Sequence, residues 1–175
     1  MIPRRKKGKE SETIKISSKG LKLRTYIYRP LYANAFELII YNKREEMEKG
    51  IESWLSAQGQ RDKIEDVAGT VYENDNLPSF VNKEDGLTYK CFATMFLNVE
   101  DLSVEIIAHE CGHVVFILHR EIYRYLGHYL GNDDSGDSIE ENYCYTLGEY
   151  IDEVMKICIK NKLNVKLTTK ELKKT

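Results

Sequence analysis

The sequence predicts an α+β domain in which a small mixed or antiparallel sheet packs against two late helices. Three observations carry this. Apolar, β-branched runs occupy residues 21–28, 35–41 and 87–98. Apolar residues recur at helical spacing across 102–126 and again across 138–160. The chain has 175 residues, 42% hydrophobic and 31% charged, which suits one globular core rather than two.

Residues 1–12 are polar and charged and carry Pro3 and Gly8, so a disordered basic tail is expected there. LKLRTYIY at 21–28 reads as a strand that Pro30 interrupts, and AFELIIY at 35–41 as a second strand. Over 43–55, Met47, Ile51, Trp54 and Leu55 fall on one face of an amphipathic helix. The stretch 56–86 is polar and turn-rich, with a short strand expected inside it at 67–72. LTYKCFATMFLN at 87–98 is the third clear strand.

A helix follows over about 102–126, capped by Asp101 or Ser103, with Val104, Ile107, Cys111, Val114, Val115 and Leu118 on one apolar face. GHYLGNDDSGDS at 127–138 is a Gly- and Asp-rich loop. The last helix, 138–160, has Tyr143, Leu147, Tyr150, Ile151, Val154 and Cys158 as its core stripe. The Lys-rich residues 161–175 are expected to fray, leaving 13–160 as a single domain.

Composition narrows the function. Cys91, Cys111, Cys144 and Cys158 form no CxxC pair and read as reduced, mostly core thiols. No apolar run is long enough for a membrane span, and the basic start has no apolar stretch behind it, so residence in a cytoplasm is expected. Charge is segregated. Residues 1–29 hold ten Lys/Arg against two Glu, and 156–175 hold seven Lys against one Glu, which leaves 30–155 with nine basic and 25 acidic residues. An acidic body with basic ends attracts cations and Lys/Arg-rich peptides. Nucleic-acid binding through the ends is the weaker reading, and nothing in the pattern fixes an oligomeric state.

The chemistry-bearing motif is His109-Glu110-Cys111-Gly112-His113. On a helix, residues four apart project from one face, so the two imidazoles can close on a single zinc ion. Glu110 lies about 100° round the helix, near enough to act as general base on a water that the metal activates. Both histidines fall opposite the apolar stripe. Gly112, costly in mid-helix, signals close approach of another element. The longer HExxHxxGxxH pattern is read as not met, with Arg120 at its last position. A third ligand is then sought downstream. Glu141 stands 28 residues after His113, with Glu140 as its neighbour, and Asp133, Asp134, Asp137 and His128 are loop alternatives. Helical phase does not choose between the two glutamates. Tyr143, Tyr145 and His128 are candidate oxyanion donors, although a tyrosine on a helical stripe is more often core. His119 is expected to face solvent.

These residues resemble the gluzincin group of zinc metallopeptidases, in which HExxH lies on one helix and a glutamate on a following helix completes the site. The resemblance covers roughly residues 87–155. Glu141-Asn142-Tyr143-Cys144-Tyr145 matches the group's downstream signature, with Asn142 in place of alanine, which favours Glu141 over Glu140. The resemblance implies a minimal zincin-like fold and zinc held by His109, His113 and Glu141. It also implies Glu110 as catalytic base, a peptide or protein substrate, and an edge strand lining the cleft, a role expected of 87–98. The chain is also similar to small HExxH proteins encoded by bacteriophages. Two other readings stand beside the peptidase. One is a non-hydrolytic, metal-stabilised accessory protein that meets a host partner, for which Cys144 or His128 would supply a fourth ligand. The other is an amidase or isopeptidase that uses the same site.

Overall fold

The computed structural model describes residues 18–29, 33–60, 63–74, 79–82, 85–126 and 136–167, with only the backbone described at 121–126 and 136–140. Among these residues the chain forms β1 (Leu21–Arg29), β2 (Asn34–Tyr41), α1 (Arg44–Ala57), β3 (Gly69–Glu73), β4 (Ser79–Val81), β5 (Thr88–Asn98), α2 (Val104–Leu126) and α3 (Gly136–Lys160). The expected α+β class and every expected strand and helix are present, with ends shifted by a residue or two. β4 was not expected. Three residues carry no periodicity of their own, and this strand exists only through its pairing with β5.

The sheet is mixed, in the order β1-β2-β5-β3, with β4 also on β5. β1 runs antiparallel to β2, β2 parallel to β5, and β3 and β4 antiparallel to β5. This corrects the expected role of 87–98. β5 is paired on both sides and lies inside the sheet, so it cannot line a cleft with a free edge. Among the described strands the edges of the sheet are β1 and β3. The reason is the parallel β2–β5 pairing, which needs a crossover through α1 and brings β5 to the centre.

Alternation along the strands sends side chains to two cores. Phe36, Leu38, Ile40 and Leu97 face α2 and α3, where Ile107, Cys111, Val114, Val115, Leu118, Tyr150, Val154 and Cys158 meet them. Ile39, Tyr41 and Phe96 face α1 and pack on Met47, Ile51, Trp54 and Leu55. Burial of one such side chain contributes roughly 1.5–3 kcal/mol. The far end of the α1-side face is covered by an aromatic group, Tyr26, Tyr28, Phe80 and Tyr89, with Tyr26 and Phe80 ring centres 4.3 Å apart. Beside it Glu37 is buried and accepts a 2.6 Å bond from Arg24 Nε.

The start of α2 is fixed from three directions. Ser103 Oγ accepts the Ile106 N–H at 3.2 Å, making Ser103 the cap. Lys166 folds back over it. The Val104 N–H donates to the Lys166 carbonyl at 2.8 Å, and the Lys166 N–H to the Leu102 carbonyl at 3.0 Å. Leu163 is buried in the core. Within 161–175, where fraying was expected, Leu163 and Lys166 thus have an apolar anchor and backbone bonds, and residues 168–175 lie outside the described residues. Asp101, the other candidate cap, instead receives both Nε and Nη2 of Arg44 at 2.8 Å. No helix among the described residues is long and apolar enough to cross a membrane. Cys91, Cys111 and Cys158 are buried as expected, whereas Cys144 is exposed.

Burial alone would raise the Asp101 carboxyl, but the Arg44 fork and Asn98 outweigh it and hold Asp101 below its usual value. The unfolded chain therefore takes up this proton at a higher pH than the folded one. The stabilisation is present above about pH 4 and is lost as pH falls through the folded value. Asp101→Asn should lower the melting temperature at pH 7. The gap to the parent protein should narrow towards pH 3 in thermal melts followed by circular dichroism, and a gap independent of pH would contradict this pairing.

Candidate metal centre

α2 divides its circumference among three tasks. Ile107, Cys111, Val114, Val115 and Leu118 are buried against the sheet. His109 and His113 stand exposed on the opposite side, and Glu110 lies between these two faces at 5% exposure. The steps of 100° per residue dictate this partition once the apolar stripe is buried.

The two imidazoles face each other. Their Nε2 atoms are 3.2 Å apart, with ring centres at 4.8 Å and planes at 80°. A tetrahedral ion holding two nitrogens at about 2.0–2.1 Å sets them roughly 3.3 Å apart. The observed spacing thus fits one zinc without rearrangement of α2. It also fits a single N–H···N bond between neutral rings.

Glu110 packs against β3. A Cβ placed on Gly69 would meet Glu110 Cγ at 3.0 Å and Oε1 at 3.2 Å, and Leu97 Cδ2 at 3.0 Å. The glycine at the start of the edge strand is what admits this carboxylate. Sequence reasoning passed over it as one turn residue among several, although an isolated glycine beside a strand is a mark of close approach. Burial pushes Glu110 up to about 7. A carboxylate poised there can take and release a proton near neutrality, as a general base requires.

The third ligand is less complete. Glu141 lies on α3 and is exposed. It shares the outward side with Tyr145 and Asp152, while Tyr143, Thr146, Leu147 and Tyr150 turn towards α2 and the sheet. Among the described residues no group of three His, Cys, Asp or Glu side chains is gathered for a metal. The Glu140 and Asp137 side chains, and all of His128, Asp133 and Asp134, lie outside the described residues. Cys144 is exposed and does not join the histidines.

The tyrosines separate. The Tyr143 hydroxyl donates to the Gly112 carbonyl at 3.1 Å, tying α3 to α2, so its proton is committed to the fold. Tyr145 is 71% exposed. Gly112 does receive another element, as expected, but a Cβ there would come no nearer than 4.0 Å to that hydroxyl, so space does not demand glycine.

His119 corrects the sequence reading twice. It is buried rather than in solvent, with its ring 5.3 Å from that of Tyr143, because its phase on α2 turns it towards α3. It also stands ten residues after His109, the position first given to Arg120, so the helix carries HExxHxxFxxH with Phe116 at the glycine of the longer pattern. A helix-breaking glycine would let the third histidine turn back. Here α2 continues without a break to Leu126, placing His119 about 9 Å beyond His113 and about 120° round the axis. It cannot reach the same ion. Arg120 instead forms an ion pair with Glu73 at the far end of β3.

No protein-family model matches the chain, and neither does any curated protein or solved structure.

Two substitutions separate what Gly112 and Tyr143 do. Gly112→Ala should raise stability by about 0.5–1 kcal/mol, since it removes backbone entropy from a helix interior at no steric cost. Tyr143→Phe should lower it by about 1 kcal/mol by removing the hydroxyl's bond to a helical carbonyl that ties α3 to α2. Urea midpoints report both, and a destabilised Gly112→Ala would show that the α2–α3 approach is tighter than 4.0 Å.

Proposed function

We propose that the protein is a zinc-dependent metallopeptidase of zincin-like fold, at work in a reducing cytoplasm. The observation that carries this is the His109–His113 nitrogen pair at 3.2 Å with the buried Glu110 carboxylate on the adjoining face of the same helix. Zinc bound by that pair supplies a Lewis acid and lowers the pKa of water towards about 7. Glu110 accepts the proton from the attacking water on its carboxylate and returns it to the leaving amine. Its burial between α2 and β3 keeps it off the metal and raises its basicity.

A glutamate at the start of α3 completes the ligand set. Glu141 is the one the gluzincin resemblance implies. Glu140 stands beside it in sequence, and its side chain lies outside the described residues. The peptide adds as a strand to β3, which pairs with β5 on one side and with no described strand on the other. An amidase or isopeptidase would draw on the same residues. The exposure of Glu141 favours one further reading, a metal-stabilised accessory protein without hydrolysis.

Metal analysis of the full chain should find one zinc, and His109→Ala should lose it. Glu110→Gln should keep the zinc and lose hydrolysis of casein-like substrates by roughly 10²–10⁴-fold. An accessory protein would keep its metal in every glutamate variant at Glu110 and show no hydrolysis to lose. Equal hydrolysis by parent and Glu110→Gln would sink the mechanism. Zinc loss in Glu141→Ala but not in Glu140→Ala, or the reverse, identifies the third ligand. Gly69→Ala should keep its zinc and lower kcat, because the new methyl must displace the Glu110 carboxylate by a few tenths of an ångström.

A further inference from the structure

α3 carries a second apolar stripe that its own core does not use up. Tyr150, Val154 and Cys158 are buried on the core side. About 100° round the helix, Cys144, Gly148, Ile151, Met155 and Ile159 stand at i, i+4, i+7, i+11 and i+15. Ile159 is 68% exposed, Cys144 and Gly148 are exposed, and Ile151 and Met155 are only half-buried. No charge falls on this stripe over about 22 Å. Glu149, Asp152, Glu153, Lys156 and Lys160 take the remaining side. A glycine weakens the middle of a helix, and a Cβ placed on Gly148 would meet nothing within 4 Å. Nothing described in this chain therefore requires glycine there.

We propose that this stripe is where two copies of the chain associate, their α3 helices packed antiparallel about a two-fold axis between Ile151 and Asp152. The stripe is close to its own reverse. Turned end for end about that axis, Gly148 falls opposite Met155 of the second copy, and Cys144 opposite its Ile159. A long, flexible side chain thus enters the gap that a glycine leaves, and does so twice, as a contact between identical surfaces requires. Charge agrees. The same turn sets Lys156 about 3 Å along the axis from Glu149 of the second copy, on the same rim. Lys156 already reaches its own Asp152 and Glu153, so the contact joins two existing clusters. A parallel pair would instead set Lys156 and Lys160 against their own copies and leave the two glycines facing each other. Neither the histidines nor Glu110 take part. One helix pair is a small interface, so association in the micromolar range is expected.

Sedimentation equilibrium of the full chain from about 1 to 500 µM should show monomer and dimer in exchange, unchanged by EDTA. Ile159→Lys should weaken the dimer about tenfold and leave the circular dichroism spectrum as it was. Glu149→Lys and Lys156→Glu should each weaken it, and the two together should restore it. Cross-linking reads the register. Ile159→Cys under mild oxidation should form a covalent dimer that joins Cys144 to position 159. Those positions lie about 22 Å apart within one helix, and only the antiparallel arrangement brings them together. A monomer at every concentration, a dimer that Ile159→Lys leaves intact, or one that EDTA dissolves overturns the proposal. So does a cross-link that joins like positions.

Discussion

The structure depends on α2 being one uninterrupted helix laid across the sheet. Its apolar stripe is buried against β2 and β5, and that single constraint fixes every other direction on its surface. Once Cys111, Val114 and Leu118 point inward, His109 and His113 must point out and Glu110 must point sideways, into the seam with β3. The stabilising contacts and the chemical groups are therefore set by the same rotation about one axis. A turn of this helix by even one residue would expose the core and bury the histidines.

The sheet order decides what that sideways carboxylate meets. Parallel pairing of β2 with β5 requires a crossover, and the chain spends it on α1 before returning as β3 and β4 along the outer side of β5. The strand nearest α2 on that side is thus short and antiparallel, with no described strand on its outer edge. Gly69 at its first position is what lets Glu110 lie against backbone. The result is a buried carboxylate next in sequence to one of two exposed imidazoles on the same helix. Burial raises the basicity of Glu110, while both rings stay open to solvent.

The fold class, the strands at 21–28, 35–41 and 87–98 and all three helices were legible because each carries its own periodicity. The placement of β5 was not, since local pattern records which residues alternate and says nothing about which neighbour lies on either side. β4 was invisible for the related reason that three residues make no pattern. In the site, the histidine pair and Glu110 could be read from spacing alone, because one helix holds all of them. Gly69 could not, since its partner is 41 residues away. The fold-back of 161–167 hid behind its lysines, while Leu163 and the Lys166 backbone did the anchoring. His119 was open to a plain count along the helix. Its burial, however, follows from α3 and could not have been read from α2.

Phe116 is where the two halves of the site are decided. A glycine in that place would permit α2 to end and a third histidine to return towards the first two. With phenylalanine the helix has no cause to stop, and it carries His119 away to pack on Tyr143. That packing, together with the Tyr143 hydroxyl on the Gly112 carbonyl, holds α3 against the back of the histidine turn. α3 carries Glu140 and Glu141 near its start, of which Glu141 is exposed. The side chain that stands where the longer pattern has its glycine leaves its own ring exposed on the histidine side of α2.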